Sequence, residues 1–140
     1  MKIYLSTQDP KSPNYKWANS LPMLDGIVLD SEATEIICDN FVSSFDYSEV
    51  GALLSKIAKK MRIGCELVIM DVDVEMLCRS LYVEEIDQKT LNDIVFFSQK
   101  RKSLFSMSQI ESSLPQNIRP TNKHYENGNC SFVLKCRREN

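Results

Sequence analysis

The chain has 140 residues, 43% of them hydrophobic and 26% charged, with a net charge of −2 at pH 7 and a pI near 5.5. That length suits one domain, residues 1–140, with a core of its own. The slight acidity argues against a general nucleic-acid or anionic-membrane binder, which would be basic. Five cysteines (Cys38, Cys65, Cys78, Cys130 and Cys136) are odd in number and scattered, with no CxxC or Cys/His zinc spacing, so they read as reduced and buried. Met1-Lys-Ile-Tyr-Leu5 is too brief for a signal peptide and no long apolar run follows, so no membrane span is expected and the expected compartment is the cytoplasm.

Lys2-Ile-Tyr-Leu5 reads as a short strand that opens at Ser6 into a loop carrying Pro10 and Pro13. Tyr15–Asn19 alternates as a second strand, with Tyr15 and Trp17 on one face, and Leu24–Asp30 reads as a third, bounded by Pro22 and Ser31. The strongest pattern follows. Glu35-Ile-Ile-Cys-Asp39 is an apolar strand, and Val50, Leu53, Leu54, Ile57, Ala58 and Met61 recur at helical spacing. Leu67-Val-Ile-Met70 is apolar at every position, as a parallel strand covered by helices on both faces should be. Together they form a βαβ unit whose strands are parallel neighbours. Asp46 with Glu49 is the expected cap of its helix, and Gly64 after Lys59, Lys60 and Arg62 the expected left-handed C-cap. Asp73 is expected to cap a helix carrying Val74, Leu77, Cys78 and Leu81, Thr90 with Asp93 another, and Ser106 with Gln109 a third that stops at Pro115. Asn127-Gly128 closes a hairpin whose last strand is Ser131–Cys136.

Several motifs, taken in order, resemble the lean subgroup of class I SAM-dependent methyltransferases. Ile3-Tyr-Leu-Ser-Thr-Gln8 and Ser12–Asn19 are similar to the family's glycine-rich opening, "LNLGCG…LPGYINVD". Thr34–Phe45 is similar to "DEIYASHVLEHF", Lys60–Glu75 to "VLKPGGKLVIRVPDLE", and Lys102–Ser106 to "HKTLFD". The resemblance runs nearly end to end and rests on order and spacing. It implies a three-layer, Rossmann-like α/β fold with a mostly parallel sheet of about six or seven strands and a C-terminal antiparallel hairpin. It also implies S-adenosylmethionine contacts from Leu5, Ser6, Thr7, Gln8, Asn19 and Asp39, with an acceptor pocket near Asp39, Asn40 and Asp71.

The residues at those positions depart from the family pattern. Thr7 is β-branched and resists a positive φ, Gln8 projects a side chain where glycine would leave room, and Asn19 replaces a carboxylate that would accept two ribose hydroxyls. Ser43 and Ser44 stand where the family has Glu-His, and Ile63 and Cys65 flank Gly64 in place of Pro and Gly. The expected cofactor affinity is therefore weak or lost. Two functions stay open: a SAM-dependent methyltransferase with a divergent cofactor site and unknown acceptor, or an inactive methyltransferase-fold domain serving protein interaction or self-association. Asp71 and Asp73 resemble a paired-carboxylate site, but a helix cap is the simpler role of Asp73 and no metal is expected. His124 reads as an exposed strand residue, Cys38, Cys65 and Cys78 as core, and Gln99-Lys-Arg-Lys102 as a solvated charge run, with Phe96 and Phe97 half buried beside it.

Overall fold

A computed structural model describes residues 1–96 and 100–140. Its six strands are β1 (Lys2–Leu5), β2 (Lys16–Ala18), β3 (Ala33–Asp39), β4 (Met61–Val72), β5 (Ile118–Glu126) and β6 (Ser131–Arg138). Five helices join them: α1 (Leu21–Ile27), α2 (Val50–Lys60), α3 (Val74–Tyr82), α4 (Gln88–Phe96) and α5 (Met107–Ser112). The strands lie in the order β2-β1-β3-β4-β6-β5. β2, β1, β3 and β4 are parallel, and β6 and β5 complete the sheet antiparallel. This is the expected α/β architecture, with Ile36 paired to Leu67 and Cys38 to Ile69 at its centre.

Strand alternation sorts the sheet into two unlike faces. Ile3, Leu5, Ile36, Cys38, Leu67, Ile69, Leu134 and Cys136 are buried in one cluster with Leu24 of α1, Leu53, Leu54 and Ile57 of α2, and Ile110 of α5. A smaller cluster of Val72, Leu77, Val95 and Cys130 holds α3 and α4 beyond the carboxyl end of β4. The second face carries Tyr4, Ile37, Val68, Met70 and Val133, none of which belongs to either cluster. Leu67–Met70, expected to be covered by helices on both sides, is thus covered on the Leu67 and Ile69 side. The other side is covered less: Val68 and Val133 are buried outside both clusters, Ile37 and Met70 are half-buried, and Asp93 and Ile94 of α4 stand beside Met70 and Val133 across a cleft. The cause is local: β1 passes to β2 through a loop, Ser6–Tyr15, without a crossover helix.

Four local expectations are corrected. Leu24–Asp30 is not a strand, because Ser20 accepts a bond from the Met23 N–H and Pro22 sits in the first turn, which starts α1 instead. Asp46 makes no side-chain cap, since the tight turn Tyr47–Glu49 intervenes before α2. Gly64 is left-handed, with φ 84°, but serves a bulge inside β4: Ala33 pairs with Met61 and Glu35 with Glu66, which loops out extra β4 residues. Thr90 is the donor rather than the cap of α4, its N–H bonding the Asp87 carboxylate at 2.8 Å. Asp73 and Ser106 cap α3 and α5 as expected, and the Asn127–Asn129 turn joins β5 to β6.

Candidate functional site

The carboxyl ends of adjacent parallel strands β1 and β3 open a notch, the place where α/β sheets bind ligands. Leu5 ends β1 fully buried. Ser6 follows, 5% exposed; its Oγ donates to the Gln8 carbonyl at 2.5 Å, which folds the loop onto itself. From β2, Trp17 lays its indole against this turn, Nε1 donating to the Ser6 carbonyl at 3.2 Å and to its Oγ at 3.1 Å. The loop's left-handed residue is Lys11, φ 55°, so Thr7 and Gln8 escape the backbone strain that their types would resist.

A cleft of about 220 Å³ remains, lined by Tyr4, Ser6, Thr7, Gln8, Asp9, Pro10, Asp39 and Asn40. That lies below the roughly 300 Å³ at which small-molecule pockets begin. Asn19 follows the edge strand β2, is exposed to solvent and does not line the cleft. Asp39 does line it, but is engaged on both oxygens: the Tyr4 hydroxyl donates at 2.6 Å and Asn40 Nδ2 at 2.9 Å. Burial and the Asp39 charge raise the Tyr4 hydroxyl above its ordinary 10.0. Four of the six proposed cofactor residues, Ser6, Thr7, Gln8 and Asp39, therefore line the cleft, while Leu5 and Asn19 do not.

Next to this notch sits a buried polar knot that the sequence pattern concealed. Arg101 is not solvated, contrary to its place in a charge run. Its Nη1 donates to Asp71 at 2.6 Å and to Ser43 Oγ at 2.8 Å, and its Nη2 donates to Asn40 Oδ1 at 2.8 Å. Asp71 also accepts from the Ser43 N–H at 3.1 Å and the Val72 N–H at 2.8 Å. Burial pushes the Asp71 carboxyl up, and Arg101 with these donors offsets part of the effect. A second cleft of about 330 Å³ opens between the knot and Asp39, Met70, Asp93 and Val133, and meets the first at Asp39 and Asn40. The signal for Arg101 was the carboxylate of Asp71 at the end of an apolar strand, since a buried charge needs a partner.

Asp73 accepts from the Met76 and Met107 N–H groups and is structural. Among the described residues no group of His, Cys, Asp and Glu could hold a metal. His124 is exposed, as expected. The cysteines are free, but Cys78 is exposed rather than core, because it faces away from the Leu77 side of α3. Burial raises the Cys38 thiol far above its usual range, which keeps it protonated and poorly nucleophilic. Phe97 and Gln99 lie outside the described residues, and no described helix is long and apolar enough to cross a membrane.

No family model and no curated protein matches this chain. Solved structures do. The PH0226 protein from Pyrococcus horikoshii is similar over 99% of this chain and 72% of its own, at 11% identity and a TM-score of 0.65. A 1,6-didemethyltoxoflavin-N1-methyltransferase from Burkholderia thailandensis, solved with bound 1,6-didemethyltoxoflavin and S-adenosylhomocysteine, matches 99% of this chain and 62% of its own, at 8% identity and TM-score 0.61. The magnesium protoporphyrin IX methyltransferase of Synechocystis, solved with bound S-adenosylhomocysteine, matches 89% of this chain and 51% of its own, at 12% identity and TM-score 0.58. The chain has the class I methyltransferase fold. It spans only about half to two thirds of the length of these two enzymes.

Proposed function

We propose that this is a methyltransferase-fold domain whose cofactor notch is closed by its own side chains and which acts through contacts with protein. S-adenosylmethionine then binds weakly or not at all. The observation that carries this reading is the bond pattern of Trp17, Ser6 and Gln8. The groups that a cofactor's amino-acid end would meet are already paired with one another, the cleft is small, and the residue placed for the ribose points elsewhere. The residues present do not fit the cofactor. The free cysteines suit a reducing compartment, and the domain is assigned to the cytoplasm on that ground.

Thermal melting with and without S-adenosylmethionine or its demethylated product tests the proposal. The expected result is no shift. Ligand at 100 times its dissociation constant would add about 2.7 kcal/mol, and a shift of that size would overturn the reading. One observation favours a second reading, that of a divergent methyltransferase of unknown acceptor: the two clefts meet at Asp39 and Asn40, beside Asp71, at the strand ends where an acceptor would face the cofactor.

A further inference from the structure

We propose that the larger cleft at the strand ends, between β4, β6 and α4, is a docking site for a basic side chain, lysine or arginine, carried on a protein partner. The inference rests on the protein-contact reading above and names the chemistry of the contact. At about 330 Å³ the cleft reaches the size of a small-molecule site, which the notch beside it does not.

Its apolar lining is Met70 and Val133, paired across β4 and β6, with Val72, Phe132 and Ile94. Its charged lining is four carboxylates, Asp39, Asp71, Asp93 and Glu126, against one guanidinium, Arg101. That is a balance of −3 in a chain whose net charge is −2, so one cavity holds more than the net acidity of the molecule. The charge is not cancelled from within. Arg101 is spent on Asp71, and Asp39 accepts from the Tyr4 hydroxyl and the Asn40 amide, neutral donors that leave its charge without a counter-ion. Among the described residues Glu126 has only His124 within reach, at 3.9 Å, and Asp93 has no ion-pair partner. Carboxylates on a cavity with low-dielectric walls focus their field and draw in cations. No cluster among the described residues fits a metal ion, whereas the apolar lining fits a methylene stem whose charged head reaches the carboxylates.

The buried pair adds an independent mark. Arg101 and Asp71 both line the cleft, with side chains 5% exposed, and each has bonding capacity left. Arg101 uses four of its five N–H groups, on Asp71, Ser43, Asn40 and the Ile94 carbonyl, and Asp71 accepts three bonds where a carboxylate takes about four. A free amine has nothing to offer the remaining N–H. A peptide that carries a basic residue brings a backbone carbonyl for Arg101 together with the cation, which favours protein over a small amine as the source.

Amide chemical shifts of the isotope-labelled whole chain test this with three probes: acetyl-Gly-Lys-Gly-amide, the same peptide acetylated on the lysine, and butylamine. The lysine peptide is expected to move the amides of Met70, Asp93, Ile94 and Val133, less so as salt is added. Asp93→Asn and Glu126→Gln, at exposed positions, each weaken its binding roughly two- to fivefold, the span of an exposed ion pair, and Asp93→Lys abolishes it. Glu49→Gln, outside the cleft, changes nothing. The acetylated peptide does not bind, and butylamine binds more weakly than the lysine peptide. A lysine peptide that moves none of these amides, binding that survives Asp93→Lys, or equal binding of the acetylated peptide would overturn the docking site. Butylamine binding as tightly as the peptide would overturn the protein source. A melting shift with S-adenosylmethionine in a chain that takes the peptide would overturn the cofactor-free reading and leave the cleft standing, whereas a chain that responds to neither overturns the cleft alone.

Discussion

Arg101 and Asp71 meet at 2.6 Å with both side chains only 5% exposed, so the connector after α4 is held to the end of β4 by a charge pair almost out of water. The Lys102 and Ser103 N–H groups fix the same connector to the Ser43 carbonyl at 2.7 and 3.1 Å. A buried pair adds little net stability over an apolar one, but removing one partner strands the other. Arg101→Met is therefore expected to destabilise by about 3–5 kcal/mol in urea denaturation, and Arg101→Met with Asp71→Leu to recover most of the loss. A single-variant loss under about 1 kcal/mol would mean that the pair is dispensable.

Restoring family residues at the notch is expected to fail. Ser6→Gly, Gln8→Gly and Asn19→Asp together remove the bond from Trp17 to the Ser6 hydroxyl and the bond from that hydroxyl to the Gln8 carbonyl, each worth about 0.5–1.5 kcal/mol, keep the Trp17 bond to the Ser6 carbonyl, and place a carboxylate outside the cleft. The variant should fold, melt lower, and show no heat of binding with S-adenosylmethionine. Micromolar binding would show that the loop side chains, and not Trp17, had closed the site.

Helix α1 depends on Ser20, whose hydroxyl accepts from the Met23 N–H at 3.3 Å. Ser20→Ala should cost about 1 kcal/mol, lowering the melting temperature by roughly 3–5 °C in a chain of this size. An unchanged melting temperature would show that packing of Leu24 alone holds the helix.

Why that helix escaped the sequence is instructive. Leu21, Leu24, Ile27 and Val28 satisfy a helical period over two turns, yet Leu24–Asp30 also satisfies a short strand. Only the cap at Ser20 with Pro22 in the first turn decides between them. The βαβ unit was legible because its helix was long enough for the period to be unambiguous, and the hairpin because Asn127-Gly128 turns locally. Asp39 and the Ser6 loop followed from their places at strand ends. Arg101 did not, because its partners Asn40, Ser43 and Asp71 are 61, 58 and 30 residues away, and a run of cations carries no mark of which one will be buried. The unequal cover of the two faces was hidden for the opposite reason: an apolar strand shows that both sides avoid water without showing what covers each.

Alkaline pH should unfold the domain early. Burial pushes the Cys136 thiol up to about 12 and the Cys65 thiol to about 11, from 9.0, and the Tyr4 hydroxyl also rises. Each group is raised in the folded state, so its stabilisation is complete below the unfolded value and is lost as pH climbs beyond it, because the unfolded chain releases its protons first. Melting temperatures measured in reductant are expected to be level to about pH 8 and to fall above about pH 9, with Cys136→Ala and Tyr4→Phe each flattening the fall. A profile equally steep in both variants would trace the loss to other groups.

The place of β6 between β4 and β5 bears on how the protein is made. During synthesis β3 and β4 emerge early and pair, but the other edge of β4 gains its neighbour only when residues 131–138 have left the ribosome. Until then an unpaired rim runs along a strand apolar from Leu67 to Met70. Such a rim invites intermolecular strand addition. Nascent chains stalled before Ser131 should be the ones that aggregate or recruit chaperones.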